Sequence, residues 1–293
     1  MAPSTRDTAD TGDARGSWRR DPAASVGRTY PVPADAPAAF TIVAESHVVD
    51  TATEWEPHVH PAHELVWVRH GTLTARVGGQ VFTVSEGFGL WVPAGQEHAG
   101  RLTAGVELYD AFFAPEHTPE HAPPVLGGPT VVAMGPVLQA LLIRLARRDL
   151  DPAARARAEA VVFDVLEPSK RQLAVRLPAD DRVDTIVEAL LADPADERSL
   201  EEWARASGTS ARTITRVFRA ATGLSFAQWR RAVRVHRSLE LLGAGGSVQD
   251  VSEDLGYAHP GTFIDAFRRV MGTTPGAFAA ERASSSDTAG RKP

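Results

Sequence analysis

The chain of 293 residues has no cysteine. That excludes disulfides, thiolate nucleophiles and thiolate metal sites, and agrees with a reducing, cytoplasmic setting. No stretch approaches the roughly 18–20 uninterrupted apolar residues of a membrane helix. The opening MAPSTRDTADTGDARGSWRRDP has no apolar core, so neither a signal peptide nor an anchor is expected there. Lysine is nearly missing: of 31 basic residues only Lys170 and Lys292 are lysines, a skew without functional weight. Positive charge is not in surplus either. A formal net charge of −6 argues against a protein that coats nucleic acid. What remains, 43% hydrophobic and 23% charged, is the make-up of a globular protein with room for two domains.

The averaged charge hides a local patch. Residues 209–237 hold seven arginines (212, 216, 219, 230, 231, 234 and 237) and no acid. A run of one sign is the footprint that phosphate binding needs, although a merely solvated helix face would look the same. Residues 1–28 and 284–293 are poor in large apolar side chains and are expected to be disordered tails. Residues 29–128 show short alternating runs broken by Gly and Pro. Leu73–Val77 and Gln80–Val84 flank Gly78-Gly79, which predicts a hairpin. Leu65–Val68, Leu90–Val92 and Leu108–Phe113 add strands, and the set suggests a β-barrel or jelly roll. Residues 117–130 read as a loop.

The period then changes. Val137, Leu138, Leu141, Leu142 and Leu145 recur at helical spacing, as do Ala158, Val161, Val162, Val165 and Leu166. The region 129–177 is therefore expected to be helical, serving as dimerisation surface and linker, with packing against its own domain as the blander alternative. Residues 178–283 are helical throughout. In residues 199–222, Ser199 caps one helix, Ser207-Gly208-Thr209 makes a tight turn and Ser210 caps a second. Ile214, Val217 and Phe218 form that second helix's buried face; Arg212, Thr215, Arg216 and Arg219 form the opposite one. This is a helix-turn-helix, whose second helix enters the major groove. Residues 248–271 repeat the plan, with Gly256-Tyr257-Ala258 as the turn and Pro260 at the first position of the second helix. The fold class expected is thus α+β and multidomain: a β-barrel, a helical middle and an all-α tandem helix-turn-helix domain.

The ordered pattern Ser210-x-Arg212-x-Ile214-x-Arg216-x-Phe218, Thr222-Gly223-x-Ser225-x-x-x-Trp229, Gly256-Tyr257, Phe263-x-x-x-Phe267-Arg268-Arg269 and Gly272-Thr273-Thr274-Pro275-x-x-Phe278 resembles the AraC/XylS family of bacterial transcription regulators. The resemblance covers about a third of the chain. It implies double-stranded operator DNA as partner, two recognition helices per subunit, a homodimer, and contact with RNA polymerase. It places base contacts on Arg212, Thr215 and Arg216, with Ser210, Arg219, His259, Ile264, Asp265, Arg268 and Arg269 completing the DNA-facing set. Asp265 departs from the pattern, which is basic or polar there; it would accept from a cytosine amino group or else pair with a nearby arginine. The first motif is therefore expected to read sequence and the second to position the protein.

Half of the ten histidines fall in residues 58–98. His58-Val59-His60 on a strand would put both imidazoles on one face, and Glu64 shares their parity. With His98 from a later strand beside the first, three imidazoles and a carboxylate suit Zn²⁺, Fe²⁺, Mn²⁺ or Ni²⁺. The spacing resembles the cupin superfamily: His58-x-His60-x-x-x-Glu64 runs on to Gly71, and Gly87, Pro93, Gly95 and His98 follow the second motif up to Leu102, which replaces its asparagine. The alternative is a metal-free pocket whose histidines hydrogen-bond a small effector. His63 has the opposite parity, His70 reads as a surface residue, and Trp67 and Trp91 as packing. The leading expectation is a one-component regulator and not an enzyme, sensing a small molecule or metal. A metal-dependent cupin enzyme tethered to a DNA-binding module, for which Glu97 is the obvious acid–base group, is the runner-up, and an uninducible architectural DNA binder comes third.

Overall fold

The computed structural model describes residues 26–27, 42–118, 127–147, 149–170 and 174–280. The expected disordered tails lie outside the described residues apart from Val26–Gly27, as does most of the predicted 117–130 loop.

Two sheets face each other. One has the strand order β1 (Val26–Gly27), β3 (Thr53–His58), β8 (His98–Leu102), β5 (Thr72–Val77), β6 (Gln80–Ser85) and β11 (Ala174–Arg176). The other runs β10 (Thr130–Ala133), β7 (Phe88–Val92), β4 (His63–His70), β9 (Val106–Phe113) and β2 (Ile42–Val49). All pairings are antiparallel except β1 with β3. The Gly78-Gly79 hairpin forms as the sequence predicts, both glycines having the positive φ that a two-residue turn demands.

Alternation along the strands sorts the core into layers. Val66 and Val68, Leu73 and Ala75, Phe82 and Val84, and Leu90 and Val92 fill the space between the sheets. The residues between them face outward. On one side Leu65, Trp67, Trp91, Tyr109 and Phe113 pack under α1 (Pro136–Leu145) and α2 (Pro152–Val165) through Leu138, Leu142, Leu145, Val162 and Phe163. Trp67 and Trp91 are fully buried packing residues, as expected. The leucine stripe of α1 is thus spent on its own domain, while Val137 and Ile143 of α1 and Val161 of α2 stay exposed. The region 129–177 also contributes strands: β10 pairs with β7 and β11 with β6. Runs of three and four residues are too short to show alternation, so periodicity alone finds only the helices there.

The C-terminal half is α3 (Asp181–Ala192), α4 (Leu200–Ala206), α5 (Ala211–Thr222), α6 (Phe226–Gly243), α7 (Val248–Asp254) and α8 (Pro260–Met271). Ser199 caps α4 in a reciprocal box with Glu202, and Ser210 caps α5. Gly256 turns α7 into α8 with φ of 70° beside the Ala195 carbonyl, where an added Cβ would come within 3.1 Å. Val81, Val175 and Leu177 of the barrel's outer face pack into one continuous core with Val183, Ile186, Trp203, Ile214, Phe218 and Trp229. Val235, Leu239, Phe263, Phe267 and Phe278 make a separate core around the second motif.

Candidate functional site

The histidine cluster is assembled by a chain crossing between sheets. β3 ends at His58, His60 lies in the connection, and Glu64 belongs to β4 in the facing sheet. The three residues therefore do not share one strand, and the single-strand parity expected from the sequence is corrected here. Pro57 and Pro61 deny the segment ladder donors, and the register of β3 slips between Trp55 and His58. Convergence survives because β8 returns beside β3 with His98 directly opposite His58.

The ring centroids of His58 and His98 lie 4.2 Å apart, and those of His60 and His98 4.9 Å apart. Ligating atoms of His58, His60 and His98 all fall within 4.8 Å of one another. Each Nδ1 is committed to a backbone carbonyl: His58 to Glu56 at 2.9 Å, His60 to Ala62 at 2.8 Å and His98 to Gln96 at 2.9 Å. A carbonyl only accepts, so Nδ1 carries the proton in each ring and Nε2 is left for the centre of the cluster. That is the outer support by which proteins orient metal-binding histidines. Glu64 Oε2 lies 3.2 Å from Nε2 of both His60 and His98.

Charge follows this geometry. Burial pushes the Glu64 carboxyl up, but hydrogen bonds from His60 and His98 outweigh it and hold the group below the usual carboxylate range. Burial pulls His98 down, and the hydrogen bond and charge of Glu64 more than reverse it, so its pKa is raised. His58, without that partner at hand, is lowered by burial. The free cavity is about 40 Å³, room for two or three waters and far less than an organic ligand of drug size requires. Trp55, Leu73, Leu90, Asp110 and Phe112 complete its wall. Sequence reading passed over Trp55 and Asp110; the one signal for Asp110 is a lone charge inside the apolar strand Leu108–Phe113. His63 lies outside the cluster, stacking on Trp91 at 5.0 Å with its Nδ1 accepting from the Ala94 amide. His70 is exposed.

On the other half, Arg212, Thr215, Arg216 and Arg219 project from the exposed face of α5, while Ile214, Val217 and Phe218 are buried. On α8, Asp265 stands 3.7 Å from Arg268 in an exposed pair, Arg269 is exposed and Ile264 is half-buried. Ser210 and His259 are the N-caps of the two helices; Ser210 accepts from the Thr213 amide, and His259 makes no side-chain cap bond. A cleft of about 920 Å³ between α6 and α8 is lined by Arg230, Arg231, Arg234, Tyr257 and Arg269. Among the described residues, no helix is long and apolar enough to cross a membrane.

Residues 203–281 match the family described as helix-turn-helix domain, and residues 47–112 match the cupin domain. The chain is 31% identical over 232 residues to the HTH-type transcriptional regulator NimR of Escherichia coli (strain K12), covering 76% of this chain and 81% of that protein. It is 41% identical over 102 residues to the HTH-type transcriptional regulator RipA of Corynebacterium glutamicum, covering 35% of this chain and 31% of that one. A solved DNA-binding domain of AdpA in complex with a target DNA is 29% identical, covers 36% of this chain and 96% of that one, and superposes with a TM-score of 0.34. With a tandem helix-turn-helix half behind a cupin barrel and a relative matched over most of both lengths, the chain belongs to the AraC family of DNA-binding transcriptional regulators.

Proposed function

We propose that the barrel senses a divalent transition metal, or a ligand no larger than a few atoms, at His58, His60, Glu64 and His98, and that the tandem helix-turn-helix half reads operator DNA in response. The observation that carries the sensor reading is the common orientation of the three imidazoles, each Nδ1 held by a carbonyl, which leaves Nε2 as the ligating nitrogen beside Glu64. Three nitrogens and one oxygen suit Zn²⁺, Fe²⁺, Mn²⁺ or Ni²⁺. The Glu64 carboxylate, 3.2 Å from Nε2 of both His60 and His98, would supply negative charge beside a bound ion. The small cavity supports the ion or its immediate ligands, and not a bulky organic molecule, as effector.

Base readout falls to Arg212, Thr215 and Arg216 on α5, where arginine can pair with guanine through two hydrogen bonds. Arg268, Arg269 and the amides at the start of α8 position the second motif on phosphates. Dimerisation would use the side of α1 and α2 that keeps Val137, Ile143 and Val161 exposed. We read the barrel as a sensor and not an enzyme: Glu97, the obvious acid–base group, is exposed. Metal content by mass spectrometry on tag-free protein, beside a His58→Ala/His60→Ala variant, tests this. One metal per chain, absent from the variant, is expected. No metal in either overturns the metal sensor and turns the cluster into a hydrogen-bonding pocket.

A further inference from the structure

Arg101 and Glu240 join the two halves of the molecule at one buried point. Glu240, on α6, is 5% exposed. Its carboxylate accepts from Arg101 Nη2 at 2.9 and 3.1 Å, from Arg237 one turn earlier, and from the Thr74 hydroxyl. Arg101 and Thr74 are cross-strand neighbours on β8 and β5. Strand alternation turns both away from the barrel interior, where Leu73, Ala75 and Leu102 point, and toward the helical half. Thr83, on the same outer face, shares a hydrogen bond with His236 Nδ1 at 3.1 Å. Arg76 reaches Glu188 of α3 at 2.9 Å. A carboxylate withdrawn this far from water is tolerated only with its partners in place.

Two placements give this contact a consequence. β8 opens with His98 and carries Arg101 three residues on, and β3 lies against it with His58 opposite His98 and Glu54 opposite Arg101. One strand pair therefore bears two of the sensor's imidazoles inside the barrel and the clamp on Glu240 outside it, with β8 running unbroken beside β5 from His98 to Leu102. At the other end, α6 links the two DNA-reading motifs: Val233 belongs to the first motif's core, Val235 and Leu239 to the second's. Docking leaves Arg212, Arg216, Arg268 and Arg269 exposed. What it fixes is the direction of α6, and with it both recognition helices, relative to the barrel.

We propose that Glu240 is the positioning residue through which the state of the histidine cluster reaches the DNA-reading half: β8 moves with His98, Arg101 moves with β8, and Glu240 carries α6 with Arg101. This rests on the sensor reading above and adds to it the path of regulation. Coupling of this kind is a free energy shared by two sites, so it works in both directions.

Hydrogen–deuterium exchange on the full chain, with and without Zn²⁺, tests it in wild type and Glu240→Gln. In wild type, zinc should slow exchange in β3 and β8 and, by roughly fivefold or more, in α6. In Glu240→Gln the slowing in β3 and β8 should persist while that in α6 disappears; a mere loss of stability would not separate the two. Equal zinc-induced slowing of α6 in both proteins overturns the proposal. If zinc changes nothing in wild-type β3 and β8, zinc sensing fails on its own account, and the metal-free samples decide the coupling. There Glu240→Gln must accelerate β8 together with α6, and acceleration of α6 alone overturns it. Should Glu240→Gln not fold, Thr74→Val removes a single uncharged bond to the same carboxylate and carries the same comparison.

Discussion

The two helix-turn-helix motifs share a plan and differ in what stands behind them. The first, α4 and α5, has a core that runs without a break into the barrel's outer face through Val81, Val175 and Leu177. The second, α7 and α8, closes on its own core around Phe263 and Phe267 and touches the rest mainly through α6. Their outer faces differ as well. α5 shows arginines with no acid among them, whereas on α8 Asp265 stands 3.7 Å from Arg268. The motif whose core is shared with the barrel is thus also the one with an unopposed arginine face. The other has a separate core, tied to the barrel through α6, and a face whose charge is partly answered internally. Under the proposed assignment of base readout to α5, the motif that discriminates sequence is the one whose core is shared with the barrel.

Removing the same ring from each motif gives the largest test of this asymmetry. Phe218 packs edge-to-face on Phe226 and Trp229, and Phe267 on Phe263 and Phe278. Both are fully buried, so Phe218→Ala and Phe267→Ala should each cost about 3–5 kcal/mol locally. Their reach should differ. Phe218→Ala is expected to speed amide exchange in β6 and β11 as well as in α4 and α5, and Phe267→Ala only in α6 and the chain beyond it. Equal disturbance of β6 by both would show that the cores are not divided as described. The DNA-facing sides come next. Arg216→Ala should lose up to about 3 kcal/mol of discrimination between operator variants. Asp265→Ala should change discrimination little and leave overall affinity the same or higher. Binding-site selection from a randomised DNA library measures both, and matched losses would break the assignment of readout to the first motif.

Acid should act on the fused side as well. His236 faces Thr83 of the barrel, with Glu240 and Arg237 beside it on α6 and Arg101 and Thr74 opposite. Burial lowers its pKa to about 4. The folded protein therefore resists a proton that the unfolded chain accepts near 6.5, and stability falls as pH drops from about 6.5 toward 4. At pH 5 this amounts to about 2 kcal/mol. His58 and His63, also lowered by burial, push the same way, and His98 pushes against them. The diagnostic is thus a difference: His236→Gln should flatten the decline between pH 7 and pH 5 measured by denaturant unfolding. An unchanged slope would mean that the interface is open to water.

Much of this molecule can be read before folding because its signals are local. The Gly78-Gly79 turn, the serine caps and the arginine face of α5 each lie within a few residues of chain. The candidate site residues are legible where spacing carries them, as with His58, His60, Glu64 and His98, although a crossing between sheets, and not shared strand parity, brings them together. Trp55 is hidden because nothing local distinguishes a wall residue from ordinary barrel packing, and Asp110 shows only as a lone charge inside an apolar strand. Arg101 and Glu240 are hidden for a stronger reason. They are 139 residues apart, and each alone reads as a solvated charge; only the docking of α6 on the sheet makes them one buried site.

The smallest expected effect probes the first turn of each motif. Ser199 and Glu202 satisfy one another's helix ends: the Glu202 amide donates to Ser199 Oγ at 3.2 Å, and the Glu202 carboxylate accepts from the Ser199 amide at 2.8 Å. Ser247 accepts from the Asp250 amide at 3.1 Å, and its hydroxyl donates to the Asp250 carboxylate at 2.7 Å, so the aspartate supports the cap side chain and not the cap backbone. Ser→Ala at either cap costs on the order of 1 kcal/mol. The two losses should match within a few tenths, because Ser199→Ala keeps the backbone amide that holds the Glu202 carboxylate. The consequence should spread unequally all the same. Fraying of α4 disturbs Trp203, which is buried in the core shared with the barrel, whereas fraying of α7 disturbs Val251 in the separate one. Denaturant unfolding of the two variants, followed by exchange in β6, measures both quantities. A larger loss for Ser247→Ala, or a response of β6 to that substitution, would place the tighter link to the sensor in the second motif.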